Sequence, residues 1–276
     1  MSESPTAVST DAFLVTQEYR RFAEFCDACR RYRYIGLCHG PPGVGKTLSA
    51  RQYAHWDAVA ALFQDQQFGL EPPLPQPELV DCRTVIYTPS MTTTPKRLED
   101  ALHELRWSLH YAVEAAQHAG QAEPRLGAFD DRWTELVIVD EADRLKFPPL
   151  EQLRDIYDRG RFGLVLIGMP GLEKRLARYA QFYSRVGFVH HYRPLSADAM
   201  RLVLAHKWQQ LGLTLAPDDF NDAEAMAAII RITGGNLRLV QRLFSQIERI
   251  LPINQLQAVT LEVVEAARQS LVIGSG

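Results

Sequence analysis

Gly40-Pro41-Pro42-Gly43-Val44-Gly45-Lys46-Thr47 is the stretch on which the reading of this chain turns. It follows the apolar run Tyr34 to Cys38 and opens helix-periodic sequence, so G-x-x-x-x-G-K-[ST] stands in the strand–loop–helix context the motif requires. Glycines let backbone N–H groups curl around phosphate oxygens, and the first turn of the helix adds a favourable dipole. Lys46 then reaches the β- and γ-phosphates, and the Thr47 hydroxyl suits Mg²⁺. The expected phosphate cradle is Gly40, Pro41, Pro42, Gly43, Val44, Gly45, Lys46, Thr47 and Leu48.

Beyond the loop, four more apolar, β-branched runs follow: Thr84 to Thr88, Leu136 to Asp140, Leu164 to Gly168 and Val186 to His190. Near-continuous hydrophobicity predicts strands buried on both faces, hence a parallel sheet covered by helices. Lys46 to Phe63 reads as one helix. Leu98, Leu102, Leu105, Leu109, Ala112 and Ala116 form a second helical stripe. Phe68 to Pro77, with its four prolines, and Gly120 to Arg132 read as loops. After Pro194 the strands stop. Three apolar helix faces follow, around Met200 to Leu211, Leu237 to Leu251 and Leu261 to Leu271. The expected fold is α/β: a tail and helix over 1–33, a core with a five-stranded parallel sheet over 34–194, and a small all-helical unit with a short tail over 195–276.

Composition narrows the function classes. The 276 residues are 46% hydrophobic and 23% charged, as in a globular protein. A net charge of −3 excludes coating nucleic acid by bulk charge but leaves room for a local basic channel. Four cysteines make no disulfide framework. The Cys26/Cys29 pair has no second pair at zinc-site spacing, so free buried thiols are expected. Met1 to Asp11 has neither the basic nor the apolar part of a signal peptide, and no run of about 18 apolar residues occurs. The expectation is a protein of the bacterial cytoplasm or nucleoid with no membrane partner.

The run Leu136 to Val139 ends in Asp140-Glu141. A carboxylate at the C-terminal end of a buried strand, beside a phosphate loop, is placed to hold Mg²⁺ with Thr47. Glu141 is then the group to polarise a water for attack on the γ-phosphate of ATP. The tetrad Asp140-Glu141-Ala142-Asp143 also suggests an RNA helicase, but no Ser-Ala-Thr motif or second such core accompanies it.

Phosphate loop, Asp-Glu strand end, five strands and helical lid together resemble the AAA+ ATPases over about residues 20 to 270. The resemblance implies an arginine finger at Arg185, in Ser184-Arg185-Val186, and a sensor-2 arginine at Arg238, in Gly235-Asn236-Leu237-Arg238. Each would stabilise charge on a transferring phosphoryl group. Met169 stands where many such proteins carry a polar sensor-1 residue, so slow, partner-stimulated hydrolysis is expected. Asp140 to Lys146, Gly168-Met169-Pro170 and the compact lid look like the TnsC, TniB and MuB transposition regulators, with IstB more distant. That resemblance implies ATP-dependent, sequence-independent binding of double-stranded DNA and assembly of the chain into a ring or helical filament. It also implies a transposase and a TniQ/TnsD-type target selector as partners. The DNA-facing residues it implies are Thr92, Lys96, Arg97, Arg144 and Lys146, suited to phosphate contact. Thr94-Pro95 also reads as an ordinary helix start. Two rival readings are a replication initiator or helicase loader and a secretion- or cell-wall-linked ATPase.

Overall fold

In the computed structural model, residues 13–65, 79–117, 130–216 and 218–271 are described. The expected loop at 68–77, most of that at 120–132, and the tails at 1–11 and 272–276 lie outside them.

Five runs of β-branched and aliphatic residues form β1 (Ile35–His39), β2 (Thr84–Tyr87), β3 (Leu136–Val139), β4 (Gly163–Gly168) and β5 (Val186–His191). They make one parallel sheet in the order β2-β3-β4-β1-β5. Central β3 and β4 are buried throughout, which explains their unbroken apolar sequence. β5 is an edge strand, and its residues alternate between half-buried and exposed. The expectation of burial on both faces therefore fails there: α1 packs on β5, while the alternate side chains stay exposed. Register pairs His39 with Gly168 and Val139 with Leu166, so β1, β3 and β4 end along one edge.

Helix α1 (Gln17–Tyr32) starts at Thr16, whose hydroxyl accepts from Tyr19 N at 3.2 Å. It lies close against the sheet because Gly36 and Gly163 have no side chain. A Cβ on Gly36 would come within 2.3 Å of Cys29 Sγ, and one on Gly163 within 2.3 Å of Cys29 O. The Cys26/Cys29 pair is packing material here. Burial pushes the Cys29 thiol up to about 12 and Cys26 well above its usual value, so both are neutral thiols. Among the described residues no cluster of His, Cys, Asp and Glu could hold a metal.

The helix expected over Lys46 to Phe63 is two: α2 (Lys46–Tyr53) and α3 (Trp56–Asp65). His55 between them has φ 47°. A straight helix would point residues 54 and 56 about 200° apart. The left-handed residue lets both Ala54 and Trp56 bury in the same core. Helix α4 (Pro95–Gln117) covers one face of β2 with the expected stripe. α5 (Phe147–Arg159) packs on α4, and the short α6 (Leu172–Leu176) and α7 (Ala180–Tyr183) lead to β5.

A second core, around Met200, Trp208, Ile229, Phe244 and Val264, belongs to four helices: α8 (Ala197–Gln210), α9 (Phe220–Thr233), α10 (Leu237–Ile253) and α11 (Leu261–Gln269). Each is capped by a side chain, from Ser196, Asp219, Asn236 and Thr260. Of the four, α9 has no counterpart among the three faces expected from sequence. Its buried face joins Ala225 and Ala228 to Met226 and Ile229, while Ile230 and Ile232 lie off that face and blur the stripe.

Candidate functional site

Because β1 sits between β4 and β5, the loop leaving it rises beside the ends of both. Gly40 N donates to Gly168 O at 3.4 Å, and a Cβ on Gly40 would meet Tyr192 O at 2.2 Å. Gly43 and Gly45 have φ of 78° and 111°, the left-handed region open to glycine. The loop needs these glycines to turn at all.

Lys46 folds back over the loop it follows, its Nζ donating to Gly40 O at 2.6 Å and Pro41 O at 2.7 Å. Burial pulls its ammonium below the usual lysine value, while Cys38, Asp140 and Asp143 work the other way and Arg238 adds to the fall. The cation is thus partly stripped of water, which strengthens its pull on an arriving anion. Thr47 Oγ1 donates to Asp140 Oδ2 at 2.6 Å, and Asp140 Oδ1 accepts from Glu141 N at 2.9 Å. Two elements 93 residues apart therefore bring a hydroxyl and a nearly buried carboxylate into contact. Both are hard oxygen donors of the kind Mg²⁺ takes.

Glu141 sits at φ 53°, and its carboxylate is ion-paired with Arg144, which also donates to Pro89 O at 3.2 Å. Asp143 Oδ2 accepts from Met169 N at 2.7 Å, tying the end of β4 to the Asp-Glu turn. Arg175 donates to Asp143 O at 2.6 Å and to Leu145 O. Met169 itself lies at the mouth of the site, where no hydrogen bond from its side chain could orient water.

Lid and core meet at the loop. Asn236 caps α10 and also donates from Nδ2 to Pro42 O at 2.8 Å, while Arg238 N lies 3.1 Å from Gly43 O. The result is a cleft of about 500 Å³ walled by Lys46, Thr47, Asp140, Glu141, Met169 and Arg238. Sequence reasoning missed an adjoining cleft of about 460 Å³ that shares Gly45, Leu48, Leu237 and Gln241 with the first. Phe13, Leu14, Tyr192 and Val203 give it apolar walls. Tyr192 is held there by a buried 2.6 Å hydrogen bond with Ser49; burial pushes its phenol up to about 12. The one sequence cue was the apolar triplet Phe13-Leu14-Val15 before Thr16.

The remaining expected residues lie apart. Thr92, Lys96 and Arg97 are exposed at the start of α4, where Thr94 Oγ1 accepts from Arg97 N at 3.3 Å. Lys146 is exposed at the start of α5. Arg144 is drawn inward to Glu141. Arg185 is at the opposite end of the sheet from the phosphate loop, gripped by Asp158 at 2.5 and 2.7 Å. That bond and pairing raise its guanidinium above its usual value. It does not reach its own chain's cleft.

The AAA domain family model matches residues 29–176, which spans the sheet through β4, the phosphate loop and the Asp-Glu turn. The chain belongs to that family. It is a P-loop ATPase of the AAA type, with the five-stranded sheet and helical lid of that fold. A "Potential ATP-binding protein" of Staphylococcus aureus is 44% identical over 95% of this chain and 97% of its own length. The "Mu-like prophage FluMu DNA transposition protein B" of Haemophilus influenzae is 26% identical, over 86% of this chain and 73% of that protein. Among solved structures, the Thermotoga maritima RuvB Holliday junction branch migration motor superposes with a TM-score of 0.58. It covers 94% of this AAA chain and 71% of RuvB at 14% identity, a likeness of fold.

Proposed function

We propose that this AAA ATPase binds double-stranded DNA when loaded with ATP, assembles on it, and recruits or activates a transposase at the target. The observation that carries the ATP half is the Thr47–Asp140 contact beside a lysine spanning the phosphate loop. Similarity to a DNA transposition protein carries the other half.

Gly40 to Leu48 would cradle the phosphates with backbone N–H groups, and Lys46 would exchange its two loop carbonyls for β- and γ-phosphate oxygens. Thr47 and Asp140 fit Mg²⁺; when bound, it neutralises phosphate charge. The apolar cleft beside Tyr192 and Phe13 is sized for the nucleotide's base. Glu141 would take a proton from the attacking water once released from Arg144. Arg238 would approach the γ-phosphate from the lid. Arg185, remote from its own cleft, would serve a neighbouring subunit after leaving Asp158, in a ring or filament.

Thr92 on the loop after β2, Lys96 and Arg97 in the first turn of α4, and Lys146 at the start of α5 all follow the C-terminal ends of β2 and β3, the sheet edge that also carries the nucleotide cleft. Duplex phosphates would lie on them, joined by Arg144 when it leaves Glu141. A target-selector protein would add specificity that phosphate contacts lack. The test is anisotropy of a labelled random-sequence duplex. With ATP, wild type should bind with a steep salt dependence, and Lys96→Ala and Lys146→Ala should each reduce the slope by about 0.9 per subunit in contact. Equal binding without ATP, or unchanged slopes, would refute it.

A further inference from the structure

The edge of the sheet opposite the phosphate loop, where Arg185 stands, carries a further charged surface whose residues the ATPase reading does not use. All strands are parallel, so the segments entering β1, β3 and β4 meet there. Arg33 and Arg161, each two residues before its strand, and Arg31 at the end of α1 line a cleft of about 470 Å³. Two further arginines in it are already paired: Arg30 with Asp27 and Glu135, and Arg132 with Asp130. Among the described residues, Arg31, Arg33 and Arg161 have no carboxylate within 4.0 Å. The Arg33 backbone serves the fold, since its O accepts from Tyr157 Oη at 2.6 Å, but its side chain is exposed.

The same edge presents aromatic faces. Residues 30 to 34 read Arg-Arg-Tyr-Arg-Tyr. Tyr32 is 56% exposed and Tyr34 47%, their rings 6.4 Å apart at 26°, with Phe188 of β5 edge-on to Tyr34 at 5.7 Å. The Arg31 guanidinium lies 5.6 Å over the Tyr32 ring and also lines the cleft, so cations and rings form one surface. Apolar burial does not explain rings this exposed. Paired bases in a duplex have no free faces to offer them, whereas unpaired bases do.

We propose that this edge binds single-stranded nucleic acid, with phosphates on Arg31, Arg33 and Arg161 and unpaired bases stacked on Tyr32 and Tyr34. The site is separate from the ATP cleft and from Lys96 and Lys146, which lie at the other end of the strands. Binding by the unassembled chain therefore needs no nucleotide and is tolerant of sequence.

The experiment is anisotropy of a labelled oligodeoxythymidylate of about 12 nucleotides with the full chain, without nucleotide and across a salt series. Three phosphate contacts predict a slope of log K on log [salt] near about −2. Arg33→Gln combined with Arg161→Gln should take about 1.4 from its magnitude. Tyr32→Ala should weaken binding about 5- to 150-fold, the effect of losing one stacked base, and Tyr32→Phe should restore it. Arg201→Gln, on the exposed face of α8, should leave it unchanged. All these positions are exposed, and unchanged thermal unfolding of each variant secures the comparison. Absence of binding at low salt overturns the proposal, as does an unchanged slope. So does Tyr32→Ala binding like wild type while polyglutamate displaces the oligonucleotide, which would mark an acidic polypeptide as the occupant.

Discussion

Replacing Arg144 by alanine should raise ATP turnover in the absence of DNA. The Arg144 guanidinium is paired with the Glu141 carboxylate and anchored at its other side to Pro89 O. A carboxylate whose oxygen is held by a cation is turned away from water near the phosphates. The two side chains are 39% and 48% exposed, so solvent screens the pair and its strength falls within about 0.2–1 kcal/mol. Freeing Glu141 can then raise basal turnover by at most about fivefold, since each 1.36 kcal/mol is tenfold. In the proposed function, duplex phosphate draws Arg144 off Glu141 and so switches hydrolysis on. The variant should therefore be faster alone and gain proportionally less from duplex. Steady-state phosphate release at saturating ATP, with and without duplex, reads both. Unchanged basal turnover combined with full DNA stimulation would show that the pair does not restrain Glu141.

Lys46→Ala should lose nucleotide affinity, because phosphate charge would go uncompensated in the loop; wild-type affinity by titration with a fluorescent ATP analogue would remove the lysine from the site. Asn236→Ala gives up an N-cap worth about 1 kcal/mol and the hydrogen bond that latches the lid to Pro42, so it should unfold about 2–4 °C lower per kcal/mol lost and bind ATP less tightly. An unchanged melting temperature would mean the latch adds nothing. Asp158→Ala frees Arg185 from a pair about 30% exposed on each side, so the protein concentration needed for half-maximal turnover should fall by up to about fivefold. A lowered melting temperature with the same concentration dependence would make the pair purely structural.

What could be read from sequence was local or periodic. The phosphate loop announces itself because each glycine has a backbone reason, and β3 and β4 do so because sheet and helices cover both faces. Partnerships across the chain could not be read. Arg185 and Asp158 are 27 residues apart, and nothing in either segment names the other. Phe13, Tyr192 and Val203 meet in one cleft only once β5 and α8 flank α2. The break at His55 carries no glycine or proline; it follows from two buried side chains that one helix could not face inward together. Helix α9 was hidden because Ile230 and Ile232, off its buried face, blur the stripe of Ala225, Met226, Ala228 and Ile229.

The central claim is that ATP and duplex together build the assembly. Sedimentation of Glu141→Gln, which should keep ATP and hold it uncleaved, tests this most directly. With ATP and random-sequence duplex the protein should sediment as a large DNA-bound oligomer, and without either ligand as a small species. A protein that stays small with both ligands present, at concentrations where ATP is shown to be bound, would contradict the account.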